Sequence, residues 1–250
     1  MAFDVAPDSY DRFMGRWSSP LAERLVDRLE LAPGSRVLDV GCGPGALTEA
    51  LVRRLGSARI SAVEPSATFR AAARERFPDV DVRQAGAEAL PFEDDVFDAV
   101  AAALVVPFMR DAVAGLGEMR RVARPGGVLA ATMWDHDRGP LSPLWRAVDR
   151  LGLPPRETGP LLGSGPGELA DLLERVGSSD VHPGELTVTR TVTSFEEWWE
   201  PMTLGVGPVG DYVQRLDEAE RAALREECTR VLPEAPFDLS VTAWCATGRA

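Results

Sequence analysis

One stretch, VLDVGCGPG at residues 37–45, limits the fold more than any other part of the chain. Its first four residues are largely apolar, with Asp39 among them, and the next five hold three glycines, Gly41, Gly43 and Gly45. The apolar run reads as a core strand. Glycines at its carboxyl end remove Cβ atoms, so a ligand can approach bare main chain closely. Where such a turn opens a helix, the helix N-terminus can face an anionic group. The spacing here is GxGxG with Pro44 inserted, a poor fit to the GxGxxG of a nicotinamide dinucleotide site.

The rest of the first half alternates strand and helix signals. Ser19-Pro20 is expected to start a helix, with serine as cap, proline at the first helical position, and Leu21, Leu25 and Leu29 following at helical spacing. Strands are expected over residues 36–40, 59–63, 80–83, 97–105 and 128–133. Helices are expected over 47–55, over 66–77, and from an Asp111 cap to about Arg124. Strands alternating with helices, and nearly continuous in apolar residues, imply a parallel sheet covered on both faces. After Trp134 the rhythm changes to a Pro- and Gly-rich stretch with short helices near 144–151 and 168–176. Strands return at 187–192 and 240–247 and complete the sheet. Between them lie an irregular aromatic stretch with Trp198 and Trp199, and a charged helix over 217–231. The expected layout is a single domain over 1–250: a core at about 31–134, late strands near 185–193 and 239–248, and cover segments at about 1–30, 135–183 and 195–237 over the functional edge.

Charge narrows the partners. Lys plus Arg number 27 against 39 acids, a net charge of −12. A broad nucleic-acid footprint needs excess positive charge, so nucleic acid is not expected, nor is an anionic membrane surface. The longest apolar run, residues 99–109, is too short to span a bilayer and contains Pro107. The N-terminal MAFDVAPDSYDRF lacks the positive flank and apolar core of a secretory signal. Cys42, Cys228 and Cys245 show no paired spacing, so neither disulfides nor a metal site is expected, and a cytoplasmic setting fits.

Glu64 stands at the end of the second strand, about 20 residues past the turn. A carboxylate there can accept hydrogen bonds from both hydroxyls of a ribose. Turn and acid on consecutive strands together indicate a nucleoside-containing ligand.

These residues bring a family into view. VLDVGCGPG resembles motif I of class I S-adenosylmethionine-dependent methyltransferases, and VEPS at 63–66 resembles their second motif. AGAEALPFEDDVFDAV at 85–100 resembles the adenine-side segment and the next strand, and EMRRVARPGG at 118–127 the helix and turn that close the core. YDRFMGRW at 10–17 resembles the N-terminal cover of the small-molecule branch grouped with ubiquinone and menaquinone methyltransferases (type 11). The resemblance spans roughly the first half of the chain, in the family's order. It implies a Rossmann-like, doubly wound, seven-stranded, mostly parallel sheet with helices on both faces and an antiparallel last strand. The implied cofactor is S-adenosyl-L-methionine, with S-adenosyl-L-homocysteine as product. Asp39, Gly41, Cys42, Gly43 and Gly45 would shape the methionine side, and Glu64 with Pro65 the ribose side. Gly86, Ala87 and Glu88 would lie beside the adenine and Leu104 near the methyl end. Tyr10 and Arg16 would close over the cofactor, Arg16 as a partner for its carboxylate. Two departures stand out. Relatives often carry an aspartate where Gly86 stands, so an adenine contact would pass to Glu88, to backbone or to water, or be lost. Residues 105–108, VVPF, replace histidine or polar residues and make the methyl-transfer region apolar.

Several residues have plainer readings. Asp39 could simply brace the turn, and Cys42 reads as a small filler. His136 follows the last parallel strand at the ligand-binding edge and is the one candidate base, although a solvated loop histidine is the simpler reading. Trp198 and Trp199 could stack on an aromatic substrate or pack a cover helix, with packing favoured. The expected activity is methyl transfer to a small, apolar or aromatic organic acceptor, at oxygen or carbon. A cofactor-binding protein of the same fold that catalyses a cyclisation, or a non-catalytic module, is the alternative. A homodimer fits this reading as well as a monomer does.

Overall fold

In the computed structural model, residues 6–155 and 159–250 are described. Seven strands form one sheet: β1 (Val37–Val40), β2 (Ile60–Val63), β3 (Asp81–Arg83), β4 (Phe97–Ala103), β5 (Ala123–Trp134), β6 (Ser179–Val192) and β7 (Phe237–Arg249). Their order is β3-β2-β1-β4-β5-β7-β6. The first five pair in parallel, and β7 runs antiparallel to both β5 and β6. Chain order reverses at β1, where β2 lies on one side and β4 on the other. In open α/β sheets that reversal leaves a crevice at the strands' carboxyl ends.

The helices are α1 (Pro7–Tyr10), α2 (Arg16–Arg28), α3 (Ala46–Leu55), α4 (Ala67–Arg76) and α5 (Ala112–Val122). They continue with α6 (Ser142–Leu151), α7 (Glu168–Arg175), α8 (Phe195–Trp199), α9 (Gly207–Arg215) and α10 (Glu218–Val231). Successive residues of a strand face opposite sides of the sheet. Leu38, Val40, Val100, Ala102, Leu129 and Ala131 accordingly share one core with Leu116 and Met119 of α5 and Leu169 and Leu173 of α7. Their neighbours Val37, Ala99, Ala101 and Ala130 share another with Leu25 of α2, Leu47 and Leu51 of α3 and Ala73 of α4. A third core holds Trp17, Leu144, Trp198, Met202, Tyr212 and Leu224, packed on Val188, Val192, Val241 and Ala243 of β6 and β7.

Several expectations are corrected. Helix α2 begins at Arg16, preceded by a π-helical turn over Asp11–Gly15, so Pro20 lies inside the helix and Ser19 caps nothing. The N–H that proline lacks would only have met the Arg16 carbonyl at the helix start. Strand β4 stops at Ala103 because Leu104 takes a left-handed backbone, φ +64°. Helix α7 belongs to a sheet face, not to the cover, and β6 begins at Ser179, inside the segment read as cover. The aromatic stretch is helical, α8 followed by a 3-10 turn over Glu200–Thr203, and α9 has no counterpart in the sequence reading. Among the described residues no helix is long and apolar enough to cross a membrane.

Candidate functional site

A cavity of about 430 Å³ opens at the carboxyl ends of β1, β2 and β4. It brings together Tyr10, Asp39, Gly41, Cys42, Gly43, Glu64, Pro65, Gly86, Ala87, Glu88 and Leu104 from the sequence reading. Each arrives by its element: the glycine turn by β1, Glu64 by β2, Leu104 by β4.

The turn is built from both sides. Val63 at the end of β2 accepts from the Gly41 and Cys42 amides at 2.8 and 3.0 Å. Glu64, nearly fully buried, accepts from the Gly43 amide through Oε2 (2.9 Å) and from the Ser66 amide through Oε1 (2.8 Å). Burial raises its pKa, against those two amide bonds and Arg70. Each carboxylate oxygen keeps a second lone-pair direction for a ligand. Gly43 has φ +56°, and a Cβ there would meet nothing within 4 Å, so the turn offers open main chain at this point. Gly45 answers a different need. At φ +104° its Cβ would fall 2.4 Å from the Phe77 ring, so its glycine serves packing behind the turn, and it does not line the cavity.

Asp39 is buried and accepts from the Thr48 hydroxyl of α3 at 2.6 Å, which ties strand to helix as well as facing the cavity. Burial pushes its pKa to about 7; Thr48 opposes the rise, and the charge of Glu64 adds to it. Cys42 is buried, and its thiol is raised well above the ordinary value, first by burial and then by Asp39. The Tyr10 ring packs on Phe69, centroids 5.2 Å apart, and burial with Asp11 and Glu64 lifts its hydroxyl to about 12.

Gly86 and Glu88 form a matched pair. A Cβ on residue 86 would lie 2.9 Å from Glu88 Oε2, so the glycine makes room for that carboxylate. Glu88 Oε1 accepts from the Arg110 amide at 2.6 Å and the Asp111 amide at 3.3 Å. Burial alone would raise its pKa, but backbone amides, those two among them, hold it below the usual range.

Besides Gly45, two expected residues lie elsewhere. Arg16 does not line the cavity; its guanidinium donates to the carbonyls of Glu197 (2.6 Å) and Phe13 (3.4 Å). Burial and then Arg190 lower its pKa to about 10, with Glu197 opposing. His136 lines neither this cavity nor its neighbour, and its amide donates to the Ser164 carbonyl at 3.1 Å. Trp198 and Trp199 are buried in the cover core and line neither cavity, so they are packing residues. Val105 and Phe108, from the stretch read as apolar, line the cavity, and Phe69, Met109 and Arg110 line it without having been singled out. Phe69 could have been found as the first aromatic of the helix that Ser66 caps; the others follow the left-handed Leu104, which no pattern announces.

Next to this cavity is a second one of about 130 Å³, and Tyr10, Leu104 and Phe108 line both. Among the described residues no group of three or more His, Cys, Asp or Glu could hold a metal ion.

Known proteins resemble this chain over part of its length. Residues 38–131 match the family described as a methyltransferase domain. The chain is 32% identical over 145 residues to a trans-aconitate 2-methyltransferase of Variovorax paradoxus, covering 58% of this chain and 56% of that protein. It is 34% identical over 149 residues to a malonyl-[acyl-carrier protein] O-methyltransferase of Pectobacterium atrosepticum, covering 59% and 58%. The match thus spans a little over half the length of these curated relatives. A Haemonchus contortus phosphoethanolamine N-methyltransferase 2, solved with S-adenosylhomocysteine, superposes with a TM-score of 0.58 at 17% identity, covering 97% of this chain and 56% of that one. At that identity the likeness is one of fold.

Proposed function

We propose, for a chain whose residues 38–131 match a methyltransferase-domain family, that it transfers a methyl group from S-adenosylmethionine to a small, apolar or aromatic acceptor. The observation that carries this reading is the Gly43–Glu64 cross-link: open main chain and a buried carboxylate on one cavity wall. The residues fit the cofactor on that ground. Open space at Gly43 admits a ligand against the backbone, Glu64 has lone pairs left for ribose hydroxyls, and Glu88 stands over Gly86 where an adenine amino group would need an acceptor.

When bound, the cofactor would supply a methyl group already activated on a sulfonium. The chain's residues then need to hold and orient. Asp39 and the turn fix the methionine side, and Tyr10, on α1, closes the near wall. Leu104, Phe108 and Met109 keep water from the methyl end. Correct orientation of the reacting partners accounts for several kcal/mol of barrier, about 7 or more in favourable cases.

Titration of the purified chain with S-adenosylhomocysteine tests the reading, and heat of binding in the micromolar range is expected. Glu64→Gln leaves one side of the turn without an acceptor and should weaken affinity about tenfold or more. Silent titrations of the intact chain would remove the proposal.

A further inference from the structure

The second cavity differs chemically from the first. The first is lined by Asp39, Glu64 and Glu88; the second has no carboxylate, guanidinium, imidazole, amide or aliphatic hydroxyl among its described lining residues. Aromatic rings, aliphatic chains and thioethers make its walls, together with glycine and proline. The indole N–H of Trp134 is turned to the Met14 sulfur at 3.2 Å.

We infer that this cavity takes the ring of a compact phenol that is ionised by its own acidity, not by a base of the protein. The inference rests on the methyl-transfer reading. Size sets the first limit: an apolar cavity of about 150 Å³ holds one benzene ring, and this one is about 130 Å³. A fused second ring would have to extend past it, into the first cavity or out to solvent. Charge sets the second. A carboxylate on the ring would lose its water and find no charged partner among the described lining residues. The relatives' named acceptors, trans-aconitate and a malonyl thioester, carry such groups, so acceptor choice diverges here. The nucleophile sets the third. The oxygen's electron pair forms the O–CH3 bond as the C–S pair returns to sulfur, and the phenol's proton has already gone to water. Two opposite charges cancel in this step, which a water-poor site favours. An amine would instead leave a new cation in the apolar pocket. Tyr10, the hydroxyl on the border between the cavities, stays protonated at neutral pH and is no base.

The test uses the intact chain with S-adenosylmethionine, following S-adenosylhomocysteine release. Acceptors are single-ring phenols of graded acidity, a two-ring naphthol, a hydroxybenzoate and an aniline. Thermal shift of the protein loaded with S-adenosylhomocysteine (the homocysteine product) by the same compounds reads occupancy without turnover. Turnover should have a pH midpoint that follows each phenol's own pKa, and the naphthol, benzoate and aniline should fall about tenfold or more behind. Leu161→Trp adds bulk to the second cavity alone, at a half-exposed position. It should remove the phenol's thermal shift and about nine-tenths of turnover while homocysteine affinity stays unchanged. One pH midpoint shared by all phenols, or a preference for the benzoate or the aniline, would overturn the inference. So would homocysteine binding with no phenol shift; absence of homocysteine binding would remove the methyl-transfer reading as well.

Discussion

Asp39 sits where protein stability and ligand binding pull against each other. Its pKa stands near 7, above the ordinary carboxyl value of about 4. A raised carboxyl pKa means that the native state holds the proton more tightly than the unfolded chain does. The stability from this group is therefore complete below about pH 4 and is lost as pH rises through about 7. A cationic ligand reverses the preference, because it favours the carboxylate. S-adenosylmethionine affinity should rise from pH 6 to pH 8, with up to one proton released, read as a dependence of calorimetric heat on buffer ionisation; Asp39→Asn should abolish that dependence. The two glycines separate stability from binding in another way. Gly45→Ala drives a methyl into the Phe77 ring and should cost about 2 kcal/mol or more in a denaturant melt. Gly43→Ala should cost only about 1 kcal/mol, for its left-handed backbone, yet weaken homocysteine binding more than its neighbour does.

At the scale of elements, the legible parts are those with local causes. The first two strands and the helices after them fall within about a residue or two of the reading, because their signals are local: apolar runs, a glycine turn and polar residues at helix starts, of which only Asp111 is read as a cap that the structure keeps. Ser66 accepts from Phe69 and Asp111 from Ala114. The cavity wall formed by Asp39, Gly43 and Glu64 was legible for the same reason. What escaped depends on distant partners. Leu104 turns left-handed while its amide donates to the Thr132 carbonyl of β5, so the end of β4 is set across the sheet. Arg16 turns to Glu197, 181 residues on, which no local pattern reveals. Ser179 joins a strand through Arg249. Helix α7 became part of the sheet's face through Leu169 and Leu173, whose spacing shows an apolar side without saying what it covers.

For the molecule as a whole, the three cores imply unequal resistance to opening. Two lie on the faces of the sheet around β1, β2 and β4, none of whose residues is exposed. The third, around Trp198 and Tyr212, is joined to the sheet through β6, β7 and Trp134 of β5. Native-state hydrogen exchange should show α8 and α9 opening at lower free energy than β1, β4 and β5, with homocysteine slowing exchange most at α1 and the glycine turn. Equal protection throughout would mean that the cores open as one. The placing of β7 carries a consequence for synthesis. This strand of 13 residues is last in sequence but sits between β5 and β6, not at the sheet's rim. Until the ribosome has released it, β6 has no neighbour and β5 keeps a bare edge. A nascent chain therefore passes through an intermediate that offers β6 unpaired and β5 with one open edge to any chaperone or stray partner.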